Sequence, residues 1–406
     1  MRSVHRNIAF LVSVFALYLG ITGTLIQITD LHTLWTHAPA TDPNLQAIRE
    51  SINGPPNYQV IADTDYSAAE LPAGFGFEHA LASGLRSATN MLGSTPVRYI
   101  EVRMAGNRPV IQVRFPSRLL AFDAVSGEEL PDLARSHLDP TPPQSQGVPS
   151  IRTTIKGLHR MTAFGDRALY VNVTVGVGLC TLIFTGLVMY FRLLSARIRF
   201  RGPSPLWYAG GWWRTLHRGV AVIAALFVVL ATLSGFMLAI DSLGHGLFMA
   251  NLKAGSGPPR TRFADVSSPL TNAELPAMLR TTMAAFRAGE PVSPIKVIRL
   301  RYFAGMPQGI IVSGNQDVRQ LVYNAASGRR VSMTEPGYPA TGQPFGWQEH
   351  QLMKQIHRGD WLGLPGRGMD LIAGLSLVFL SASGIAMYLD LWVRRRRGGR
   401  AGLLWA

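Results

Sequence analysis

A His-Arg dipeptide occurs four times in this chain, each time shortly before a long apolar stretch. Each stretch then contains a hydroxyl residue followed by glycine. The histidine-to-glycine spacing of the first copy recurs in the third, and that of the second recurs in the fourth, so the sequence predicts two copies of one unit. The dipeptides and their later partners are His5-Arg6 with Thr22-Gly23, His159-Arg160 with Thr185-Gly186, His217-Arg218 with Ser234-Gly235, and His357-Arg358 with Ser383-Gly384.

Composition indicates a membrane protein with substantial polar parts. Of 406 residues, 47% are hydrophobic and 16% are charged, a balance that favours several membrane spans. The single cysteine, Cys180, lies inside an apolar stretch. This excludes a disulfide framework, a CxxC pair and a CxxCH motif for covalent haem.

The apolar stretches predict four transmembrane helices that alternate with polar segments. A cleavable signal peptide is the alternative for the first stretch, but its apolar run, residues 8–28, is longer than a signal core, and no A-x-A site follows closely. The predicted segments are helix 1 at 1–28, a polar region at 29–167, helix 2 at 168–191, a basic connector at 192–218, helix 3 at 219–240, a polar region at 241–368, helix 4 at 369–391, and a basic tail at 392–406.

The arginines indicate the orientation of these helices. Residues 1–7, the connector and the tail contain arginines and no acidic residue, and they share one side of a four-span chain. The positive-inside rule therefore predicts a multi-pass protein of the bacterial inner membrane, with cytoplasmic termini and two periplasmic regions. Since most of the net charge of +15 reflects topology, we expect the lipid bilayer as a partner and no nucleic acid.

Each polar region is predicted to be a small α+β domain. A helix is expected at 78–92, followed by strands at 97–104, 110–115 and 119–124. In the second region a helix is expected at 272–287, followed by strands at 295–302, 309–312 and 318–323. Residues 123–127 and 324–328 share the pattern [ND]-A-x-S-G, which is typical of a turn that ends a strand.

This repeated turn, together with His357-Arg358-Gly359 and the later run Ser383-Gly-Ile-Ala-Met-Tyr388, resembles the PepSY-associated transmembrane family. The resemblance implies an α+β integral membrane protein. Its fold would be an internally duplicated four-helix transmembrane bundle with two periplasmic PepSY-like α+β domains. Members of that family include inner-membrane ferric-siderophore reductases that use b-type haem.

Topology sorts the four histidines into two pairs. His5 and His217 are expected at the cytoplasmic face, and His159 and His357 at the periplasmic face. Two imidazoles on facing helices can ligate one haem iron, so two non-covalent, bis-histidine haem b groups are predicted. The neighbouring arginines are the expected partners of the haem propionates: Arg6, Arg218, Arg160 and Arg358.

Simple anchoring at the membrane surface is the alternative for these histidines. Lysine or arginine would serve that purpose equally well, whereas four histidines at matched spacing favour ligation. His350 is a second-choice ligand or a substrate contact. Asp370 is either an exposed residue or one that binds a proton or cation. The remaining histidines are expected at the surface or in loops: His32, His37, His79, His137 and His245.

The resulting functional hypothesis is a haem-dependent oxidoreductase. It would carry electrons from a cytoplasmic or membrane donor to a periplasmic acceptor, and the resemblance implies a ferric siderophore. The donor is not identified, since no G-x-G-x-x-G motif is present. A non-enzymatic PepSY binding or regulatory module and a transporter of iron chelates are the alternatives. The parallel repeats and the spans without a central proline weigh against a transporter.

Overall fold

The computed structural model describes residues 2–39, 42–53, 68–134, 150–201, 211–254, 267–303, 306–315, 318–331, 343–399 and 402–403. Its helices are α1 Arg2–Trp35, α2 Pro43–Asn53, α3 Phe77–Leu92, α4 Ile151–His159, α5 Ala168–Arg201, α6 Trp212–Ile223, α7 Ala225–Lys253, α8 Glu274–Gly289, α9 Trp347–His357 and α10 Gly363–Arg397. Its strands are β1 Tyr99–Ala105, β2 Arg108–Arg114, β3 Leu119–Asp123, β4 Ser267–Ser268, β5 Ile295–Phe303, β6 Met306–Ser313 and β7 Arg319–Asn324.

The chain divides into two compact units. We call the first the bundle unit, which comprises Met1–His32, Ile151–Gly257 and Thr341–Ala406. We call the second the sheet unit, which comprises Thr33–Ser150 and Pro258–Ala340.

Four helices among the described residues are long and apolar enough to cross a membrane. The most apolar windows of these candidate spans have mean hydropathies between 1.9 and 2.1. The four helices agree with the predicted spans in number and order, so the chain is a membrane protein. The spans are Ser3–Trp35, Ala168–Arg199, Ala225–Asn251 and Asp360–Arg397.

The segment boundaries differ from those predicted. Every candidate span is longer than the roughly 20 residues a bilayer requires, because each helix continues into the polar sequence beside it. The third span was expected at 219–240, but the helix is interrupted at Ala224, between α6 and α7. Helices α4 and α9 belong to the bundle unit rather than to the polar domains, because they carry His159 and His357 to the spanning helices.

The sheet unit combines both polar regions in one antiparallel sheet. Its strand order is β3-β2-β1-β5-β6-β7, with β4 paired to β5. The two central strands come from different regions, and they pair Tyr99 with Arg301 and Ile100 with Leu300. The sequence predicted a separate domain from each region, because periodicity shows the strands and not which strands are neighbours.

The expected helix-then-three-strands order is confirmed in both regions. Helices α3 and α8 supply Leu81, Leu85 and Leu279 to a core that also contains Ile100 and Ile298 of the central strands. The strands alternate, so Glu101 and Arg299 project from the opposite face, where they form a fully buried ion pair. A buried charge of this kind is tolerable only when it is paired.

The two [ND]-A-x-S-G segments form matching turns, as predicted. The Asp123 carboxylate accepts hydrogen bonds from the backbone N–H groups of Val125 and Ser126, both at 2.9 Å. These bonds lower the pKa of Asp123, mainly through the bond from Ser126. The side chain of Asn324 accepts the equivalent bonds at 3.0 and 3.1 Å.

A glycine lets α3 approach the sheet closely. A Cβ atom at Gly84 would lie 2.7 Å from the side chain of Ile111 on β2. Such a contact is too short for two carbon atoms, so the helix and strand can keep their separation only if this position has no side chain.

Replacing Gly84 by valine should therefore overpack the sheet unit and lower the free energy of unfolding by about 1–3 kcal/mol. Differential scanning calorimetry of the purified full-length chain measures this effect. Gly289→Val is the matched control, since no atom lies within 4 Å of a Cβ added at that position. An equal loss of stability in both variants would contradict the packing argument.

Candidate functional site

Each histidine of the four His-Arg dipeptides contacts a hydroxyl group on a neighbouring membrane helix. The hydroxyl residue is in every case the one that precedes the glycine in the repeated motif. The Nδ1-to-oxygen distances are 2.9 Å for His5 and Thr185, 2.9 Å for His159 and Thr22, 2.7 Å for His217 and Ser383, and 3.3 Å for His357 and Ser234.

The hydroxyl groups determine the tautomer of these imidazoles. Thr22 donates its own hydrogen to the carbonyl of Tyr18 at 2.9 Å, and the other three hydroxyls bond in the same way to the carbonyl one turn earlier. Each oxygen is therefore available to accept, and the histidine Nδ1–H donates. His357 Nδ1 also lies 2.9 Å from the carbonyl of Ala231, which can only accept. The lone pair consequently lies on Nε2, as in most metal-binding histidines.

The glycine that follows each hydroxyl residue gives the imidazole room. A Cβ atom at Gly235 would lie 2.8 Å from Cε1 of His357, and one at Gly23 would lie 3.2 Å from Cε1 of His159. Other glycines that the sequence suggested for close approach meet side chains of neighbouring helices instead. These are Gly20, Gly176, Gly178 and Gly374.

The four histidines form the two pairs that topology predicted. The ring centres of His159 and His357 are 6.2 Å apart, with 31° between the ring planes. His5 and His217 are close enough to interact electrostatically. Since Thr22 is 17 residues after His5 on α1, the two pairs lie about 25 Å apart along the bundle at 1.5 Å per residue. Apolar side chains fill the space between them: Val12, Ala16, Val175 and Leu179.

Burial keeps two of these imidazoles, those of His159 and His217, neutral. Desolvation, followed by the proximity of His357, lowers the pKa of His159 to about 3. Desolvation, followed by the proximity of His5, lowers the pKa of His217 to about 4. At neutral pH both rings are therefore uncharged and retain the lone pair that a metal requires.

The donor set of each pair consists of two imidazoles. Among the described residues, no group of three or more His, Cys, Asp or Glu side chains could hold a metal ion. Two protein ligands suit a metal that brings its other ligands with it, as the iron of a haem does.

The four arginines next to the histidines have different surroundings. Arg160 Nη2 donates to the Ser242 hydroxyl at 3.1 Å, and Arg218 Nε donates to the Arg214 carbonyl at 3.0 Å. Arg358 forms an ion pair with Asp360 at 3.2 Å. Arg6 lies beside His5 on α1, where its charge acts on that ring.

A buried ion network lies on the helices around the His159–His357 pair. Asp30 is fully buried, and its carboxylate contacts Arg152 at 2.5 Å and Arg367 at 2.7 Å. Arg367 also contacts Asp360 at 2.6 Å. Asp370 is half-buried rather than exposed, and it accepts a 2.5 Å hydrogen bond from Gln27.

His350 has a position comparable to that of Arg152. Each lies two turns before a histidine of the pair, and each contacts a buried carboxylate of a membrane helix. His350 Nδ1 lies 3.1 Å from Asp241, so the structure directs this ring toward Asp241. Burial, followed by the charge of Lys354, lowers the pKa of His350 to about 3.

Sequence reasoning missed several of these residues. The sequence shows the hydroxyl residues as a repeated pattern, and their matched spacing is the signal that identifies them as partners of the histidines. A basic residue also lies one turn before each histidine: Arg2, Lys156, Arg214 and Lys354. No local signal indicates the ion pairs of Asp30 and Asp241, since their partners are distant in sequence.

The histidines without a repeat partner agree with expectation where the structure describes them. His32, His37, His79 and His245 are exposed. His137 lies outside the described residues.

Comparison with known proteins relates this arrangement to a family. The family model for the PepSY-associated TM region matches residues 2–390. The chain belongs to this PepSY-associated family. All four His-Arg dipeptides and their hydroxyl-glycine partners lie within the matched region. No curated protein matches the chain.

Replacing Asp30 by asparagine should strongly destabilise this PepSY-associated protein. Arg152 and Arg367 would then share a buried site without their common carboxylate, which typically costs about 3–5 kcal/mol. Thermal unfolding in detergent measures the loss. Asp390→Asn is the control, because Asp390 and its partner Arg394 are 50% and 71% exposed and such pairs contribute less than about 1 kcal/mol. Similar losses in the two variants would argue against a structural role for the network.

His350 should make the stability depend on pH. Its folded-state pKa of about 3 lies below the ordinary value of 6.5, so the unfolded chain binds a proton that the folded chain does not. The stabilisation is therefore complete above pH 6.5 and decreases as the pH falls toward 3, by at most about 1.4 kcal/mol per pH unit.

His350→Gln should flatten the dependence of the melting temperature on pH between 7 and about 5. His79→Gln, a change at an exposed histidine on α3, should leave the wild-type slope. If the wild type and both variants show the same slope of melting temperature against pH, His350 is not the group that causes the pH dependence.

Proposed function

We propose that this PepSY-associated membrane protein binds two b-type haems and transfers electrons across the bacterial inner membrane. One haem would be held by His5 and His217, and the other by His159 and His357. The observation that carries the proposal is the geometry of the histidine pairs. Each of these four histidines is oriented by a hydroxyl group, which leaves its Nε2 lone pair available.

The distance between His159 and His357 fits a shared metal. Imidazole nitrogens bind transition metals such as zinc at about 2 Å. Two rings that share one ion from opposite sides would therefore have centres about 6 Å apart. The measured separation is 6.2 Å. Because the one cysteine rules out a CxxCH attachment, the haem would be held without covalent bonds.

A bound haem supplies an iron that gains and loses one electron. The chain's own residues orient the imidazoles, keep those of His159 and His217 neutral through burial, and fill the bundle between the two pairs with apolar side chains. Arg6, Arg160 and Arg218 lie next to the ligands, where positive charge stabilises an anionic group, whereas the charge of Arg358 is paired with Asp360. Buried and hydrogen-bonded side chains of this kind would hold such a group in a fixed position.

The distribution of basic residues supports an orientation of the chain in the membrane. The basic segments 1–7, 192–218 and 392–406 favour the cytoplasm. This orientation assigns the His5–His217 pair to the cytoplasmic side, and it assigns the His159–His357 pair and the sheet unit to the periplasmic side. Electrons would pass from a separate cytoplasmic or membrane donor to a periplasmic acceptor. The family resemblance suggests a ferric siderophore, which makes the protein a ferric-chelate reductase.

The proposal is tested by the absorption spectrum and the haem content of the purified protein. A Soret band and about two haems per chain by pyridine haemochrome are expected, consistent with two bis-histidine sites. His159→Ala and His357→Ala should affect one haem, and His5→Ala and His217→Ala the other. Each variant should also stop the reduction of an external ferric chelate, since the remaining haem lies about 25 Å along the bundle from the missing one.

Two variants make the test specific. Thr22→Val keeps the side-chain shape but removes the hydrogen-bond acceptor of His159, and it should weaken binding of that haem about 10- to 100-fold. Thr174→Val changes an exposed hydroxyl of α5 that bonds only to its own helix, and it should have no effect. Absence of haem from wild-type protein, or wild-type spectra in all four alanine variants, would overturn the proposal. The sheet unit would then be better explained as a binding or regulatory module.

A further inference from the structure

Positive charge accumulates around the His159–His357 pair. Each of these histidines is followed by an arginine and is preceded, one helical turn earlier, by a lysine: Lys156 on α4 and Lys354 on α9. Residues one turn apart share a helix face. Because the two rings are 6.2 Å apart, the two lysines are brought into the same region, and the charges of Lys156, Arg160 and Arg358 all act on Lys354.

The nearby carboxylates already have partners, and Asp241 contacts the ring of His350 at 3.1 Å. Asp30 contacts Arg152 and Arg367, whereas Asp360 contacts Arg358 and Arg367. Arg160 bonds to the neutral hydroxyl of Ser242. Within the described part of the chain, no carboxylate forms an ion pair with Arg160 or Lys354.

Lys354 shows the electrostatic consequence of this crowding. Burial, followed by the charges of Arg358, Lys156 and Arg160, lowers the pKa of Lys354 well below its ordinary value, although the Asp360 carboxylate acts in the opposite direction. Cations in a poorly solvated region repel one another, and an anion placed among them relieves both the repulsion and the desolvation. Binding of an anion would also return Lys354 to its protonated form.

We propose that Lys156, Arg160 and Lys354 form a carboxylate-binding site beside the His159–His357 pair. Arg358 is excluded because its guanidinium is engaged by Asp360. Lysine and arginine bind carboxylates through charge-assisted hydrogen bonds. The inference extends the proposed function, since the carboxylates come either from the propionates of a haem held by this pair or from an external carboxylate-containing chelate.

The first test measures citrate binding to the full-length chain without haem, by isothermal titration calorimetry. Wild-type protein should bind citrate, and Lys354→Gln should weaken binding about tenfold or more through loss of one charge-assisted bond. Lys354→Arg keeps the charge and should retain most of the affinity. Lys296→Gln is the control, because Lys296 lies in the sheet unit and donates to a backbone carbonyl. Unchanged citrate affinity in Lys354→Gln, or no citrate binding by wild-type protein, overturns the site.

The second test identifies the source of the carboxylates, by titrating the chain with haem and with haem dimethyl ester. If propionates occupy the site, wild-type protein should prefer haem, Lys354→Gln should lose that preference, and haem should block citrate. If an external chelate occupies it, haem and its ester should bind equally, and citrate should still bind to the haem-loaded protein. Failure to bind either porphyrin would refute the proposed function, while the citrate titration of the haem-free chain would still decide the carboxylate site.

Discussion

The hydrogen bond from a histidine ring to a hydroxyl on the next membrane helix is the interaction on which the rest of this arrangement depends. A single such bond contributes only about 1 kcal/mol, but it selects one tautomer and one ring orientation. The hydroxyl can accept from the ring because its own hydrogen is committed to its helix backbone, as Thr22 shows with Tyr18. The following glycine leaves room for the ring, since a side chain at Gly235 would displace His357. We call each histidine, with the hydroxyl residue and glycine that it contacts, a cradle.

The cradles and the pairs are built from different parts of the chain. His5 and Thr185 both precede the connector, as do His159 and Thr22, so these two cradles form within the first half. The other two form within the second half. Each histidine pair, by contrast, takes one ring from each half, as His159 and His357 show. Each half therefore orients its own histidines, and the association of the halves brings two oriented rings together.

The sequence predicted the local elements well because they depend on local patterns. Strand alternation located β1 and β5, and the Asx-glycine pattern identified the turns at Asp123 and Asn324. Repeat spacing also predicted the histidine pairs, since topology leaves few ways to combine four helices. The interruption at Ala224, the ion pairs of Asp30 and the joint sheet were not predicted. Each of these depends on contacts between residues far apart in sequence, for which one chain provides no local signal.

The pairing of β1 with β5 has a consequence for biosynthesis. These neighbours in the sheet are separated in the chain by the membrane helices α5 and α7. While the ribosome is still making those helices, β1 has no partner for its outer row of backbone N–H and C=O groups, and such an edge readily recruits another strand. Strands β1 and β5 can pair only after two further membrane spans have been synthesised. A nascent chain stalled between them is thus the species most prone to pair with a second copy of itself.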